Sequence, residues 1–129
     1  MTQGKARSGF DVDLRDGEAR EDAFVYTFLR ARVEHKSDEA CRRTGNVFIE
    51  YRQKGRPSGI AVTTAERWAI EYDGDCWLVV PTPRLKAITR LAYRDPKKRV
   101  KGGDGNQYDG VLVPVEWLVR PLARLMPTE

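Results

Sequence analysis

Hydrophobic and polar positions along the chain fall into two alternating periods. Over Phe10-Asp11-Val12-Asp13-Leu14 apolar and acidic residues alternate, the pattern of an edge strand or an extended lead-in. From Asp16 the spacing becomes helical: Phe24, Val25, Phe28 and Leu29 define one face, which predicts a helix over about residues 17–31. Its first turn is acidic, as the helix dipole favours. Glu21 projects onto the middle of that apolar face, where a carboxylate is costly unless something pairs with it.

Two strand-like runs follow, Arg32-Val33-Glu34-His35-Lys36 and, within residues 46–53, Val47-Phe48-Ile49-Glu50-Tyr51. Between them residues 37–45 read as a charged turn. Lys54 to Gly59 reads as a basic loop with two glycines, and Thr63 or Thr64 as the cap of a short helix through Trp68. Asp73-Gly74 sits between Ala69–Tyr72 and Cys76–Val80, a hairpin signal. Thr82-Pro83 opens a helix to about Tyr93 with Leu85, Ile88, Leu91 and Ala92 inward. Residues 94–110 read as a mobile, basic, glycine-rich loop, Val111–Val113 as a last strand and Trp117–Val119 as a closing turn or helix. This order predicts an α/β fold with one mixed β-sheet flanked by helices. Residues 1–9 are expected to form a flexible arm and residues 10–129 a single domain.

Composition narrows the classes. With 40% hydrophobic and 33% charged residues, the chain has the balance of a soluble globular domain, not a disordered one. Cys41 and Cys76 are too few for a disulfide framework, and the lone His35 leaves no zinc quartet. No apolar run approaches the ~20 residues of a membrane span, and no signal-peptide segment opens the chain, so a cytoplasmic setting without membrane partners is expected. A net charge of +4 leans toward polyanions such as DNA.

The acidic and basic positions then suggest chemistry. Glu34 and Lys36, two positions apart on a strand, share one face, whereas His35 points to the other. Glu50 lies on the next predicted strand and Glu21 on the inward face of the helix. Either Glu34 and Lys36 form a solvated ion pair, or the three carboxylates gather around a hard cation, Mg²⁺ or Mn²⁺. In the second case Lys36 sits beside a phosphodiester, where an ammonium stabilises developing negative charge. Lys54, Arg56, Ser58 and Gly59 form either a phosphate grip or an ordinary polar turn. Lys97, Lys98 and Arg99 form either a DNA-backbone clamp or a solvated loop. Trp68, Trp77 and Trp117 fall in apolar settings and are expected in the core.

A resemblance extends this. Glu34-His35-Lys36, Thr44-Gly45-Asn46-Val47-Phe48-Ile49-Glu50-Tyr51, Gly55-Arg56-Pro57-Ser58-Gly59-Ile60 and Thr64-Ala65-Glu66-Arg67-Trp68 together resemble small phage-type nucleases of the PD-(D/E)xK superfamily. Val80-Pro81-Thr82-Pro83-Arg84-Leu85 and Gly102-Gly103-Asp104 fit the same pattern, so the similarity spans most of residues 10–118. It implies a restriction-endonuclease-like core, Mg²⁺ or Mn²⁺ dependence, phosphodiester hydrolysis in DNA and, for a phage-encoded protein, action in the host cytoplasm. By this analogy Glu34 is a metal ligand, Lys36 the catalytic lysine and Glu21 the acidic residue of the first helix. The chain departs from the pattern where an aspartate is expected on the strand before the E-x-K strand. Asp11 or Asp13, Asp38, or Glu50 acting with Glu34, can fill that role. The Glu34–Glu50 pair is preferred, because opposite residues on adjacent antiparallel strands lie about 5 Å apart. A homodimer is compatible with this reading, as are an RNA substrate and a DNA-binding or virion-associated protein that has lost turnover.

Overall fold

Strand alternation decides the architecture. In β2 (Asn46–Gln53) Val47 and Ile49 are fully buried, while Phe48 and Glu50 face the opposite side. The same rule operates in β7 (Tyr108–Pro114), where Val111 and Val113 are fully buried. The computed structural model describes residues 15–23 and 30–125, divided into one unit ending at Ala31 and another beginning at Arg32.

In the first unit residues 15–23 form a helix, α1. Glu21 is exposed on it, not directed inward as its position on the apolar face predicted. An unpaired carboxylate keeps its hydration, which outweighs the helical periodicity around it. Phe24, Val25, Phe28, Leu29, Asp11, Asp13 and the expected arm lie outside the described residues.

The second unit is mixed α/β with two sheets, where one was expected. β1 (Val33–Ser37), β4 (Arg67–Asp73) and β5 (Cys76–Pro81) form a three-stranded sheet in the order β1-β4-β5. β1 runs parallel to β4, with Glu34 opposite Trp68 and Lys36 opposite Ile70. The other sheet is antiparallel, in the order β3-β2-β7-β6, with β3 at Arg56–Pro57 and β6 at Arg99–Gly102. α2 (Cys41–Thr44) and α3 (Thr82–Tyr93) each contact strands of both sheets. Ile49, Val111, Ile70, Val80, Leu85 and Ile88 thereby share one core. Two short helices, α4 (Val115–Leu118) and α5 (Leu122–Leu125), follow β7. Among the described residues no helix is long and apolar enough to cross a membrane.

Three local expectations are corrected. No helix runs from Thr63 to Trp68: a single 3₁₀ turn occupies Gly59–Ala61, and Arg67 begins β4. Trp68, Ile70 and Tyr72 point alternately inward, and their burial against the core outweighs the capping signal of the threonines. Residues 94–110 are not one mobile loop, since β6 pairs with β7 from Arg99↔Val111 to Gly102↔Tyr108. Thr82 does not cap α3. Its hydroxyl donates instead to the Ala65 carbonyl at 2.7 Å, tying the start of the helix to the segment before β4. The hairpin expected at Asp73-Gly74 is present, closed by Asp73↔Cys76.

Candidate functional site

The two charged positions of the E-x-K strand sit where sequence alternation placed them. β1 is an edge strand, and Glu34 is exposed with no hydrogen-bond or ion-pair partner among the described residues. Lys36, on the same face, is half-buried and holds its ammonium 5.6 Å from the centre of the Phe48 ring. His35 faces the other side, 3.8 Å from Glu71 and 4.6 Å ring to ring from Trp77. Trp77 is 43% exposed, not a core residue as expected, because the outward face of β5 carries it.

The junction between β1 and β2 is made by Asp38. One carboxylate oxygen accepts from the Ala40 N–H at 3.1 Å, and the other from the Phe48 N–H at 3.0 Å. Asp38 thus ties the end of β1 to the backbone of β2, and both of its oxygens are committed to that bracing. Phe48 lies across β7 and β6: a Cβ built on Gly110 would come within 2.4 Å of its ring and one on Gly102 within 2.9 Å. Glycine is needed at both places so that the ring can lie flat on the strands. Lys36 holds its ammonium over the same ring.

Glu50 is two residues beyond Phe48 on the same face of β2. Its carboxylate accepts a 2.5 Å hydrogen bond from the Ser58 hydroxyl. The supposed basic loop is a tight hairpin: Lys54 (φ 50°) and Gly55 (φ 78°) form a two-residue turn closed by Gln53↔Arg56. The returning segment is drawn against β2 by the Ser58 N–H, which donates to the Tyr51 carbonyl at 3.0 Å. Gly59, at φ 54°, comes so close that a Cβ there would sit 2.3 Å from the Glu50 carbonyl oxygen. Ser58 and Gly59 therefore serve the placement of Glu50. Lys54 and Arg56 remain exposed at the rim of a cleft of about 510 Å³.

The expected pairing of Glu34 with Glu50 across adjacent antiparallel strands is not formed. β1 hydrogen-bonds β4 in parallel, and Glu50 lies opposite Gly110 of β7. Among the described residues no three His, Cys, Asp or Glu side chains are grouped to hold a metal ion. Of the three expected carboxylates, Glu21 belongs to the first unit and Glu34 and Glu50 to the second.

Lys97, Lys98 and Arg99 lead into β6, at the opposite edge of the four-stranded sheet from β3. Lys97 and Arg99 are exposed and Lys98 is half-buried, and two of the three cover aromatic rings. Lys98 lies 5.5 Å over Trp117 and Arg99 4.7 Å over Tyr93. Further along β6, Lys101 donates to Asp109 at 2.8 Å, and Arg52 of β2 donates to the same carboxylate at 2.6 Å. Hydrogen bonds from Lys101 and Arg52 hold the Asp109 carboxyl below the usual carboxylate range, and Asp109 raises Arg52 in turn.

Two further surfaces were not anticipated. Beside the Asp73 turn, an acidic cleft of about 330 Å³ is lined by Asp38, Glu39, Glu71 and Asp73, with Arg42 bridging to Asp73 at 2.7 Å. Cys41, beside Arg42 in α2, is fully buried, and burial together with the nearby Asp38 charge pushes its thiol up, so it packs as a core residue. The other surface, of about 410 Å³, lies between α3 and β2 and includes Tyr51, Lys86, Arg90 and Tyr93. Lys86, Arg90 and Tyr93 recur at i, i+4 and i+7, a helical stripe readable in the sequence but masked there by the apolar stripe beside it.

Comparison with protein-family models, curated protein sequences and solved structures returns no match.

Proposed function

We propose that this chain is a metal-dependent DNA nuclease built on a restriction-endonuclease-like core. The observation that carries the reading is the junction of β1 and β2. Glu34 and Lys36 share one face of an edge strand, and Asp38 ties that strand to β2 at Phe48, two residues from Glu50. Lys36 reaches the Phe48 ring, so its ammonium lies toward the face that also carries Glu50.

Glu34 and Glu50 offer hard oxygen donors of the kind Mg²⁺ or Mn²⁺ takes, and Mg²⁺ needs only one or two carboxylates because it keeps water and phosphate oxygens as its other ligands. Glu50, oriented by Ser58, would serve as one such ligand and Glu34 on β1 as the other donor on offer, with no third carboxylate required. When bound, the ion supplies Lewis-acid polarisation of a phosphoryl oxygen and a more acidic water. Ser58 orients the Glu50 carboxylate through its hydroxyl. Lys36 contributes a positive charge beside the phosphorus, where negative charge grows during hydrolysis.

The test is cleavage of linear, nicked, flapped and four-way DNA with Mg²⁺ and with chelator. Wild type cuts at least one substrate only with Mg²⁺, and both Lys36→Ala and Glu34→Gln lose about 100-fold or more in rate, the cost of removing a group that acts on developing charge. Wild-type rates from Lys36→Ala would sink the proposal. The second reading is a nucleic-acid-binding protein without turnover, favoured by the cations stacked on aromatic rings around Tyr93. Binding with no cleavage of any substrate would select it.

A further inference from the structure

Around Tyr93, a surface outside the E-x-K strand has the make-up of a site for unpaired nucleobases. Tyr93 closes α3 and is 45% exposed, unusual for an aromatic residue at the end of a helix whose other face is core. Tyr51 meets it nearly at right angles, with ring centres 5.6 Å apart and an 86° interplanar angle. Arg99 lies 4.7 Å over the Tyr93 ring, and Arg52 5.6 Å over Tyr51. The two tyrosines border the cavity of about 410 Å³ into which Lys86 and Arg90 also open, and no carboxylate lines it among the described residues.

These features are complementary to one ligand class. An exposed tyrosine ring with a guanidinium beside it and a second ring set at right angles suits the π-face of a base, and base–aromatic stacking does not depend on sequence. Lys86 and Arg90, one helical turn apart on the same stripe, suit consecutive phosphates. Duplex DNA keeps its bases stacked inside and offers this surface only its backbone. We infer that the Tyr51–Tyr93 groove binds single-stranded nucleic acid, with an unpaired base against Tyr93 and the adjoining phosphates on Lys86 and Arg90. The inference deepens the nuclease reading by assigning it a substrate with a single-stranded segment, and rests on that reading only for the link to cleavage.

The experiment is fluorescence anisotropy in chelator, where no metal-dependent cutting occurs. Its probes are a labelled oligothymidine and an oligouridine of about 12 nucleotides, within the span that such grooves occupy, and a duplex of equal length. Wild type prefers one or both single strands to the duplex. Tyr93→Ala weakens single-strand binding by about 5- to 100-fold, the cost of one lost base stack, and leaves duplex binding unchanged. Tyr93→Phe, which keeps the ring, retains wild-type affinity. The oligouridine arm distinguishes RNA from DNA as the source of the bases. Equal affinity of wild type for single strand and duplex, or single-strand binding unaffected by Tyr93→Ala, overturns the inference. Should Tyr93→Ala unfold, Arg90→Gln is measured instead: weaker single-strand binding with a shallower salt dependence is expected, and wild-type behaviour overturns it. Cleavage that fails while this binding persists removes the nuclease reading alone. Cleavage that persists while Tyr93→Ala changes nothing removes this inference alone.

Discussion

The two sheets of the second unit use charge differently. On the four-stranded sheet the cations are matched to partners: Asp109, only 15% exposed, takes both Arg52 and Lys101, while Lys98 and Arg99 lie on aromatic rings. On the three-stranded sheet the edge strand β1 leaves Glu34 without a partner among the described residues and gives Lys36 only the face of Phe48. The Asp109 network ties β2, β7 and β6 together. The charges of β1 contribute little to the fold and are available to a ligand. The contrast separates the ion-paired charges around Asp109 from charges that no carboxylate engages among the described residues, Arg99 over Tyr93 included.

The largest effects test whether the sheets are one folding unit. Ile49 of β2 and Ile70 of β4 are both fully buried and belong to one core. Either residue changed to alanine should cost about 2–5 kcal/mol, the range for truncating a buried aliphatic side chain. Chemical denaturation followed by fluorescence and by far-UV dichroism should give a single coincident transition in both variants. Separate transitions would mean that the sheets fold independently and that their charge patterns need no common explanation.

Next in size is Gly59→Ala. A methyl group there meets the Glu50 backbone at 2.3 Å, and the positive φ adds strain, so the 58–61 segment must lift from β2. A loss of about 2–3 kcal/mol is expected. Ser58 would withdraw from Glu50, and cleavage should fall more than stability alone accounts for. An intact rate in a folded Gly59→Ala variant would show that the placement of Glu50 is unimportant.

Asp109→Asn should produce a smaller fall in melting temperature that depends on pH. The folded carboxyl titrates below its ordinary value of 3.8 because Lys101 and Arg52 donate to it. A depressed folded value gives stability that is complete above the ordinary value and disappears as pH falls through the lower one. The gap between wild type and variant should therefore be widest at neutral pH and close under acid conditions. Thermal melts across pH check this, and a gap that grew in acid would reverse the assignment. Salt should narrow the gap at neutral pH, since the two cations are half-exposed.

What was legible in the sequence follows from how local each interaction is. The strand around Glu34 and Lys36, the strand over 46–53, the hairpin at Asp73-Gly74 and the helix to Tyr93 are set by short-range periodicity or turn chemistry, and they stand where that reading placed them. β6 was invisible because Arg99–Gly102 has a single apolar residue, Val100, and owes its strand form to pairing with β7. The partner of β1 was misjudged for the same reason: nothing in residues 32–36 specifies β4, more than 30 positions away, over the nearer β2. Glu34 and Lys36 were correctly given one strand face, but the relation of Glu50 to them depends on Asp38 and on the approach of Gly59. The Tyr93 groove was half-legible in the Lys86, Arg90, Tyr93 spacing, while its stacking partner Arg99 comes from another element.

The smallest stability effect is the most decisive for the contrast between the sheets. Lys36→Ala removes a half-buried ammonium whose one described contact is a 5.6 Å approach to Phe48. A cation over an aromatic face is worth about 0.5–1 kcal/mol at an exposed site, which bounds the loss. Glu34→Gln removes a charge with no described partner, and surface changes of that kind stay within about 0.5 kcal/mol. Both variants should melt within a few degrees of wild type, and their effects should add when combined, because Glu34 and Lys36 form no hydrogen bond or ion pair with each other. A double variant much less stable than the sum would show that the two residues form a structural pair. β1 would then resemble the Asp109 network, and its charges would no longer be distinguished from those that hold the four-stranded sheet.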